Sequence, residues 1–175
     1  MTRVLVAYAT AEGSTRGVAR RVGTVLARHG HDVVVREVAD VTGLDGFDAV
    51  VLGSAVHDEA WLDEATAFVA THRAELARVP VWAFSVGMPD ALPGVFARAV
   101  RAEGAVLLDD LRAHVTPLSH RLFSGVTRPR QYPWPRRLLF RLAGGRFGDH
   151  RDWPAIDRWA REIHRALSKA PRSTA

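Results

Sequence analysis

Six consecutive apolar residues near the start of the chain, Val4–Ala9, constrain the fold more than any other sequence feature. A run without polar–apolar alternation is typical of a strand buried on both faces, as in a parallel sheet covered by helices. From Ser14 the apolar residues recur at helical spacing, and Gly30 is a suitable helix stop. The sequence therefore predicts a strand followed by a helix, the first unit of a parallel α/β sheet.

The same alternation of strand and helix patterns continues along the chain. Further strands are predicted over Val33–Val35, Ala49–Gly53, Val81–Ser85 and Arg121–Val126. Helices are predicted over Trp61–Leu76 and Gly94–Glu103, and a last helix is expected after the N-cap residue Asp152. The apolar stripe of the last helix is predicted at Ile156, Trp159, Ile163 and Leu167.

Length and composition predict one domain. The chain has 175 residues, of which 47% are hydrophobic, and we expect a domain over residues 1–170 with a frayed tail over 171–175. The absence of cysteine excludes disulfides, thiolate metal sites and cysteine nucleophiles, and it fits a reducing cytoplasm. No signal peptide and no apolar run of roughly 20 residues is visible, so we expect a soluble or peripheral cytoplasmic protein. No catalytic residue and no metal-ligand set stands out.

The formal net charge of +5 is concentrated in one segment. Arg121–Arg151 contains eight arginines and one acidic residue, Asp149, whereas the rest of the chain has 16 basic and 18 acidic residues. The basic character therefore belongs to this segment and not to the chain as a whole.

The strongest chemical signal is the loop Thr10–Thr15, which lies between the first strand and the first helix. At this place a doubly wound sheet presents backbone N–H groups and a helix N-terminus to an anion. Its hydroxyl side chains can donate hydrogen bonds to phosphate, and Gly13 allows close approach of the backbone. The loop lacks the G-x-G-x-x-G and Walker A patterns. The alternative is a hydroxyl-rich turn that only caps the helix. The predicted phosphate-binding residues are Thr10, Ala11, Glu12, Gly13, Ser14 and Thr15.

This loop resembles the phosphate loop of flavodoxins, and Leu44–Ser54 resembles the approach to their third strand. The resemblance implies a five-stranded parallel sheet in the order 2-1-3-4-5, with FMN at the carboxyl ends of the strands. A deazaflavin stays open as the alternative cofactor. By the same resemblance, the loops after strands three and four hold the flavin ring. The residues implied there are Ser54, Ala55, Val56, His57, Trp61, Ser85, Val86, Gly87 and Met88.

A flavodoxin-like chain would run almost directly from strand five to its last helix, but here an insertion of about residues 127–151 intervenes. A short helix is predicted over Arg136–Leu142, with Leu138, Leu139, Phe140 and Leu142 exposed to something apolar. Basic residues beside apolar ones suit an anionic membrane surface. An acidic partner protein and an oligomer interface stay open, whereas the fold class argues against nucleic acid. Arginines expected to bind substrate or membrane are Arg128, Arg130, Arg136, Arg137 and Arg141.

The insertion and the Gly144-Gly145 and Asp152-Trp153 pairs resemble the menaquinone-dependent protoporphyrinogen oxidase branch of the flavodoxin superfamily. The resemblance implies an FMN-dependent oxidoreductase that passes electrons from an organic substrate to a quinone at the membrane. Two alternatives stay open: an electron carrier without a substrate of its own, working with a redox partner protein, and an interaction module without a cofactor.

Overall fold

A computed structural model describes residues 1–57, 60–87, 114–131, 133–142 and 144–169. Its main sheet has five parallel strands: β1 (Arg3–Ala9), β2 (Asp32–Glu37), β3 (Ala49–His57), β5 (Val81–Gly87) and β6 (His120–Ser124). A short additional strand, β4 (Ala60–Trp61), pairs antiparallel with the end of β3. The spatial order β2-β1-β3-β5-β6 confirms the predicted order of the five parallel strands, since the numbering differs only by the additional β4.

Helices cover both faces of the sheet. Helices α1 (Ser14–Arg28) and α5 (Trp153–Lys169) pack on one face, and α2 (Asp63–Thr71) packs on the other. Two shorter helices are α3 (Arg73–Leu76) and α4 (Trp134–Leu142), and single 3-10 turns occur at Val38–Asp40 and Pro129–Gln131. This arrangement is the doubly wound α/β fold that the sequence predicts.

The first strand explains why both faces need helices. Val4, Val6 and Tyr8 belong to the core beneath α1 and α5, whereas the residues between them belong to the core beneath α2. Because successive side chains of a strand point to opposite faces, an uninterrupted apolar run supplies two cores at once. The stripe predicted for the last helix lies in the first of these cores.

Some predicted boundaries differ from the structure. The helix predicted over Trp61–Leu76 is divided into α2 and α3 at His72, and Trp61 lies in a strand. The strand predicted over Arg121–Val126 is interrupted at Gly125, after which β7 (Val126–Thr127) begins. Asp152 is the predicted N-cap, since its Oδ1 accepts a hydrogen bond of 2.9 Å from the amide of Ala155. The helix predicted over residues 94–103 and the tail over 171–175 lie outside the described residues.

The basic insertion leaves and re-enters the fold through one pair of short strands. Strand β7 pairs antiparallel with β8 (Gly148–Asp149), and α4 lies in the chain between them. The predicted short helix is present but begins two residues earlier, at Trp134. The expectation that Phe140 is exposed with the leucines is wrong. Its ring packs against Phe147, with 4.9 Å between the ring centroids. This contact attaches the helix to the following loop.

Three histidines meet at the C-terminal end of α1. His31 Nε2 and His164 Nδ1 share a hydrogen bond of 3.0 Å, and the rings of His29 and His164 lie 4.5 Å apart. Burial lowers the pKa of His31, and the neighbouring His164 lowers it further. Burial also lowers the pKa of His164, with a further contribution from His29. A neutral imidazole is therefore favoured at His31 and at His164, where α1 contacts α5.

Candidate functional site

The loop between β1 and α1 leaves the helix N-terminus without a side-chain cap. Gly13 is the N-cap residue, with φ of +84°, and no side chain bonds to the first-turn amides. Its carbonyl accepts the first helical hydrogen bond, from the amide of Gly17, at 3.2 Å. A φ in the left-handed region favours glycine at this position. The first turn also lacks acidic residues, so its positive end is open to an anion.

The hydroxyl groups of the loop have partners that leave their hydrogens free to donate. Thr10 Oγ1 accepts from the amide of Gly13 at 3.0 Å, which closes the turn. Ser14 Oγ accepts from the amide of Val126 at 3.1 Å. A hydroxyl that accepts one hydrogen bond still has its own hydrogen for a second partner. Thr15 is buried at the base of the loop.

The loop after β6 forms a third wall of the site that sequence analysis missed. Val126 is tied to Ser14, and Gly125 is buried beside Ser14 and Val86. A Cβ on Gly125 would lie 3.0 Å from Val86 Cγ1 and 3.3 Å from Ser14 Cβ. The available signal was a glycine at the carboxyl end of a predicted strand, where backbone often approaches a ligand closely.

These loops surround an open cleft of about 280 Å³ at the carboxyl edge of the sheet. This edge is where open α/β sheets bind ligands. The cleft therefore joins a phosphate-type loop to two strand ends and the start of the insertion. Its lining residues are Thr10, Ala11, Glu12, Ser14, Thr15, Ala55, Val56, His57, Val86, Gly87, Gly125 and Val126.

Four of the predicted cofactor residues do not line the cleft. Gly13 shapes the loop, whereas Ser54, Trp61 and Ser85 belong to a polar network in the layer beneath α2. Trp61 Nε1 donates to Ser85 Oγ at 2.8 Å, and the amide of Leu62 donates to Ser54 Oγ at 3.1 Å. These bonds hold β4 against the ends of β3 and β5. The predicted cofactor role of these residues stays a prediction, and Met88 lies outside the described residues.

Two charged residues of the loop and first turn differ in their surroundings. Glu12 is exposed and lines the cleft, so its carboxylate opposes an anion there. Arg16 Nη2 donates to Glu37 Oε1 at 2.6 Å, at the end of β2. This hydrogen bond raises the pKa of Arg16. Phosphate binding at this site would therefore depend on amides, hydroxyls and the helix dipole.

The predicted arginines lie in the insertion and not among the residues that line the cleft. Arg128 and Arg130 are exposed before α4, and Arg136 belongs to α4 itself. Arg137 and Arg141 border a groove of about 350 Å³ with Trp134 and Leu138. The helices of the described segments include none with the length and hydrophobicity that a bilayer crossing requires.

Comparison with known proteins identifies the family. The family model described as "Flavodoxin domain" matches residues 5–147. The chain belongs to the flavodoxin domain family. No curated protein matches the sequence of this flavodoxin-domain protein.

Solved structures share the fold of this flavodoxin-domain protein over nearly its whole length. Oxidised flavodoxin 1 from Bacillus cereus is 13% identical, with a TM-score of 0.60, covering 97% of this chain and 100% of its own. A mutant flavodoxin from Pseudomonas aeruginosa is 14% identical, with a TM-score of 0.62, covering 95% and 99%. Rubredoxin oxygen:oxidoreductase from Desulfovibrio gigas is 16% identical, with a TM-score of 0.58, covering 95% of this chain and 36% of its own.

Proposed function

We propose that the chain binds FMN in the cleft and acts as a flavin-dependent redox protein. The observation that carries the proposal is the uncapped, acid-free N-terminus of α1, which opens onto the cleft at the carboxyl edge of the sheet. An anion there would accept hydrogen bonds from first-turn amides that no side-chain cap occupies. Membership of the flavodoxin domain family supports FMN as the source of that anion, with a deazaflavin as the alternative.

The described residues of the cleft fit both the phosphate and the ring of such a cofactor. First-turn amides and the hydroxyls of Thr10 and Ser14 would hold the phosphate. The segments 55–57 and 86–87 would flank the ring, with Val126 and the close-packed Gly125 at the side of the insertion. Among the described residues of the lining, Glu12 is the acidic side chain and therefore opposes a phosphate. When bound, FMN supplies the capacity to take up and release one or two electrons.

The finer form of the proposal is an oxidoreductase that resembles quinone-linked protoporphyrinogen dehydrogenases and works at the membrane surface. The arginines of the insertion follow directly on the cleft wall at Val126, so carboxylate groups of a substrate could pair with them near the cleft. The alternative is an electron carrier that meets a redox partner protein. Likeness to flavodoxins over almost the whole chain favours this second candidate.

The flavin proposal is tested by titrating the purified chain, stripped of any flavin, with FMN and with riboflavin. Because riboflavin lacks the phosphate, we expect FMN to bind at least about tenfold more tightly. Ser14→Ala should weaken FMN by about tenfold and riboflavin little. Thr24→Ala is the matched control, since Thr24 is an exposed hydroxyl on the same helix that bonds to Arg20 O. Equal affinity for FMN and riboflavin would contradict a phosphate site, and absence of binding would favour a module without a cofactor.

The enzyme and the carrier are separated by turnover. The FMN-loaded chain is mixed with protoporphyrinogen and a soluble menaquinone analogue, and in parallel with a flavodoxin reductase. Oxidation of protoporphyrinogen coupled to quinone reduction would support the oxidoreductase. Reduction by the reductase without any turnover of protoporphyrinogen would refute the enzyme and leave the carrier.

A further inference from the structure

Four apolar side chains of helix α4 are exposed. Trp134, Leu138 and Leu142 follow one another at four-residue spacing and therefore form one stripe. Their exposed fractions are 74%, 54% and 76%, and the adjacent Leu139 is 67% exposed. Among the described residues, only Met1 and Leu118 are comparable exposed large hydrophobics outside this helix. Within the described parts of the chain, the exposed large apolar side chains are therefore concentrated on one nine-residue helix.

The opposite side of α4 attaches the helix to the protein. Phe140 lies two residues from both Leu138 and Leu142, so it points away from their stripe. Its ring packs on Phe147, and a Cβ on Gly145 would lie 2.5 Å from Phe140 Cε1. The amide of Gly145 also donates to the carbonyl of Phe140 at 2.8 Å. Packing of Phe140 on Phe147 therefore attaches the helix to the following loop, while Trp134, Leu138 and Leu142 stay more than half exposed.

The charge around the stripe has one sign. The sequence has no acidic residue between Asp110 and Asp149. Arg137 and Arg141 directly precede Leu138 and Leu142, so they flank the stripe on the same side, and Arg141 stacks 6.0 Å from the centroid of Phe147. A helix with an apolar face flanked by arginines and carrying a tryptophan has the pattern of an interfacial helix.

We propose that α4 is a docking element for anionic phospholipid bilayers, with Trp134, Leu138 and Leu142 entering the interface and Arg137 and Arg141 at the headgroups. The nine residues of α4 form a helix about 13 Å long, which offers little of the roughly 800 Å² that each partner buries in a stable protein interface. Binding to a bilayer needs no such minimum area, because its free energy increases with each apolar side chain that enters the interface. This proposal deepens the proposed function by naming a lipid bilayer as the partner of the insertion. Its relevance to a membrane quinone rests on the proposed function.

The position of α4 in the fold gives this contact a consequence for the cleft. The helix follows Val126, which lines the cleft and bonds to Ser14, and it returns through β8, the partner of β7. A bilayer that holds α4 would therefore hold a segment anchored beside the cleft.

The test is binding of the full chain to vesicles made of equal parts phosphatidylcholine and phosphatidylglycerol, compared with pure phosphatidylcholine. We expect binding to the anionic vesicles only, weakened by added salt. Leu142→Ser should lower the partition coefficient by about tenfold, whereas the matched variant Leu118→Ser should leave it unchanged. Arg141→Gln should lower it by about fivefold, and Arg165→Gln, on α5, should not.

Tryptophan fluorescence gives a second readout. The chain has five tryptophans, and Trp61, Trp82 and Trp159 are buried whereas Trp134 is exposed. Brominated lipids should quench part of the emission, and Trp134→Phe should remove that quenched part. An unchanged quenched fraction in Trp134→Phe would overturn the assignment of α4.

Three results of the binding and solution measurements would overturn the proposal, and a competition experiment adds a fourth. They are absence of binding to anionic vesicles, equal effects of Leu142→Ser and Leu118→Ser, and a dimer in lipid-free solution that Leu142→Ser dissociates. In the competition experiment, polyglutamate is added to the wild type with vesicles and to Leu142→Ser. If polyglutamate displaces the wild type from vesicles and binds Leu142→Ser as tightly as the wild type, the partner is an acidic protein and the proposal is overturned. FMN titration of the same variants keeps the two proposals apart, since Leu142→Ser should retain full FMN affinity. Vesicle binding without FMN binding would refute only the proposed function.

Discussion

The two ends of helix α1 are completed in different ways. At the C-terminal end the amides of His29, Gly30 and His31 bond to carbonyls of the last turn, and histidine rings seal the contact with α5. At the N-terminal end the first-turn amides have no side-chain cap and face the cleft. The unpaired backbone groups at helix ends are normally hydrogen-bonded by the chain itself. The N-terminal end of α1 is therefore the place where this chain leaves room for a ligand.

The largest expected effect comes from giving the open end an anion of its own. Gly13→Asp places a carboxylate where the phosphate of FMN is proposed to bind. Repulsion and occupation of the amides should lower FMN affinity by about 100-fold or more, while riboflavin affinity changes much less. The measurement is fluorescence titration of both flavins.

Gly30→Asp is the matched control for this substitution. Gly30 has φ of +86° and open space around its Cα, as Gly13 does with φ of +84°, but it lies at the closed end of the helix. Both variants carry the same conformational penalty of a non-glycine residue in the left-handed region. Equal FMN affinity in the two variants would remove the distinction between the ends.

At the C-terminal end of α1, we expect a smaller effect, a loss of folding stability in acid. Burial lowers the folded-state pKa of His31 and His164, so the unfolded chain binds more protons than the folded chain once the pH falls below about 6.5. Each such proton lowers the free energy of unfolding by about 1.4 kcal/mol per pH unit. We therefore expect the urea midpoint to fall as the pH decreases from 7 to 5.

His164→Gln should flatten this pH dependence, because it removes one titrating ring and its repulsion with His31 and His29. Parallel pH curves for the wild type and His164→Gln would show that the cluster does not control acid stability.

The smallest effect should come from the carboxylate that already lines the open end. Glu12→Gln removes a negative charge from an exposed position of the cleft. We expect FMN to bind about threefold more tightly, with riboflavin unchanged and the gain reduced at high salt. Weaker FMN binding in Glu12→Gln would indicate that the carboxylate has a favourable role in the site.

Much of the fold could be predicted because its signals are local. The run Val4–Ala9 required two covered faces, and the loop after it required a strand–turn–helix unit. The interruption at Gly125 depends on contacts distant in sequence, which the local pattern does not contain, whereas His72 bonds to its neighbours Phe68, Glu75 and Leu76. Gly125 donates its amide to Gly87 O at 2.8 Å, and Val126 bonds to Ser14 from more than 100 residues away.

The same limit applies to the candidate site. The loop Thr10–Thr15 and the segment Ala55–His57 lie in one cleft as the sequence suggested. The sequence also predicts Trp61 and Ser85 as cofactor residues, because they lie near the ends of the third and fourth parallel strands. In the structure their side chains bond to each other beneath the cleft lining. Residue type and strand order indicate which loops meet, whereas the direction of a side chain depends on the packing around it.

Because the insertion joins the fold at a narrow base, its sequence can change without changing the cleft. Thr127 pairs with Gly148, so the chain leaves the cleft wall and returns to it at adjacent positions. The segment between these residues can therefore lengthen, shorten or change composition while Gly125 and Val126 keep their places. In evolutionary terms, a flavodoxin domain could acquire or exchange a docking module at this hairpin without altering the geometry of its cleft.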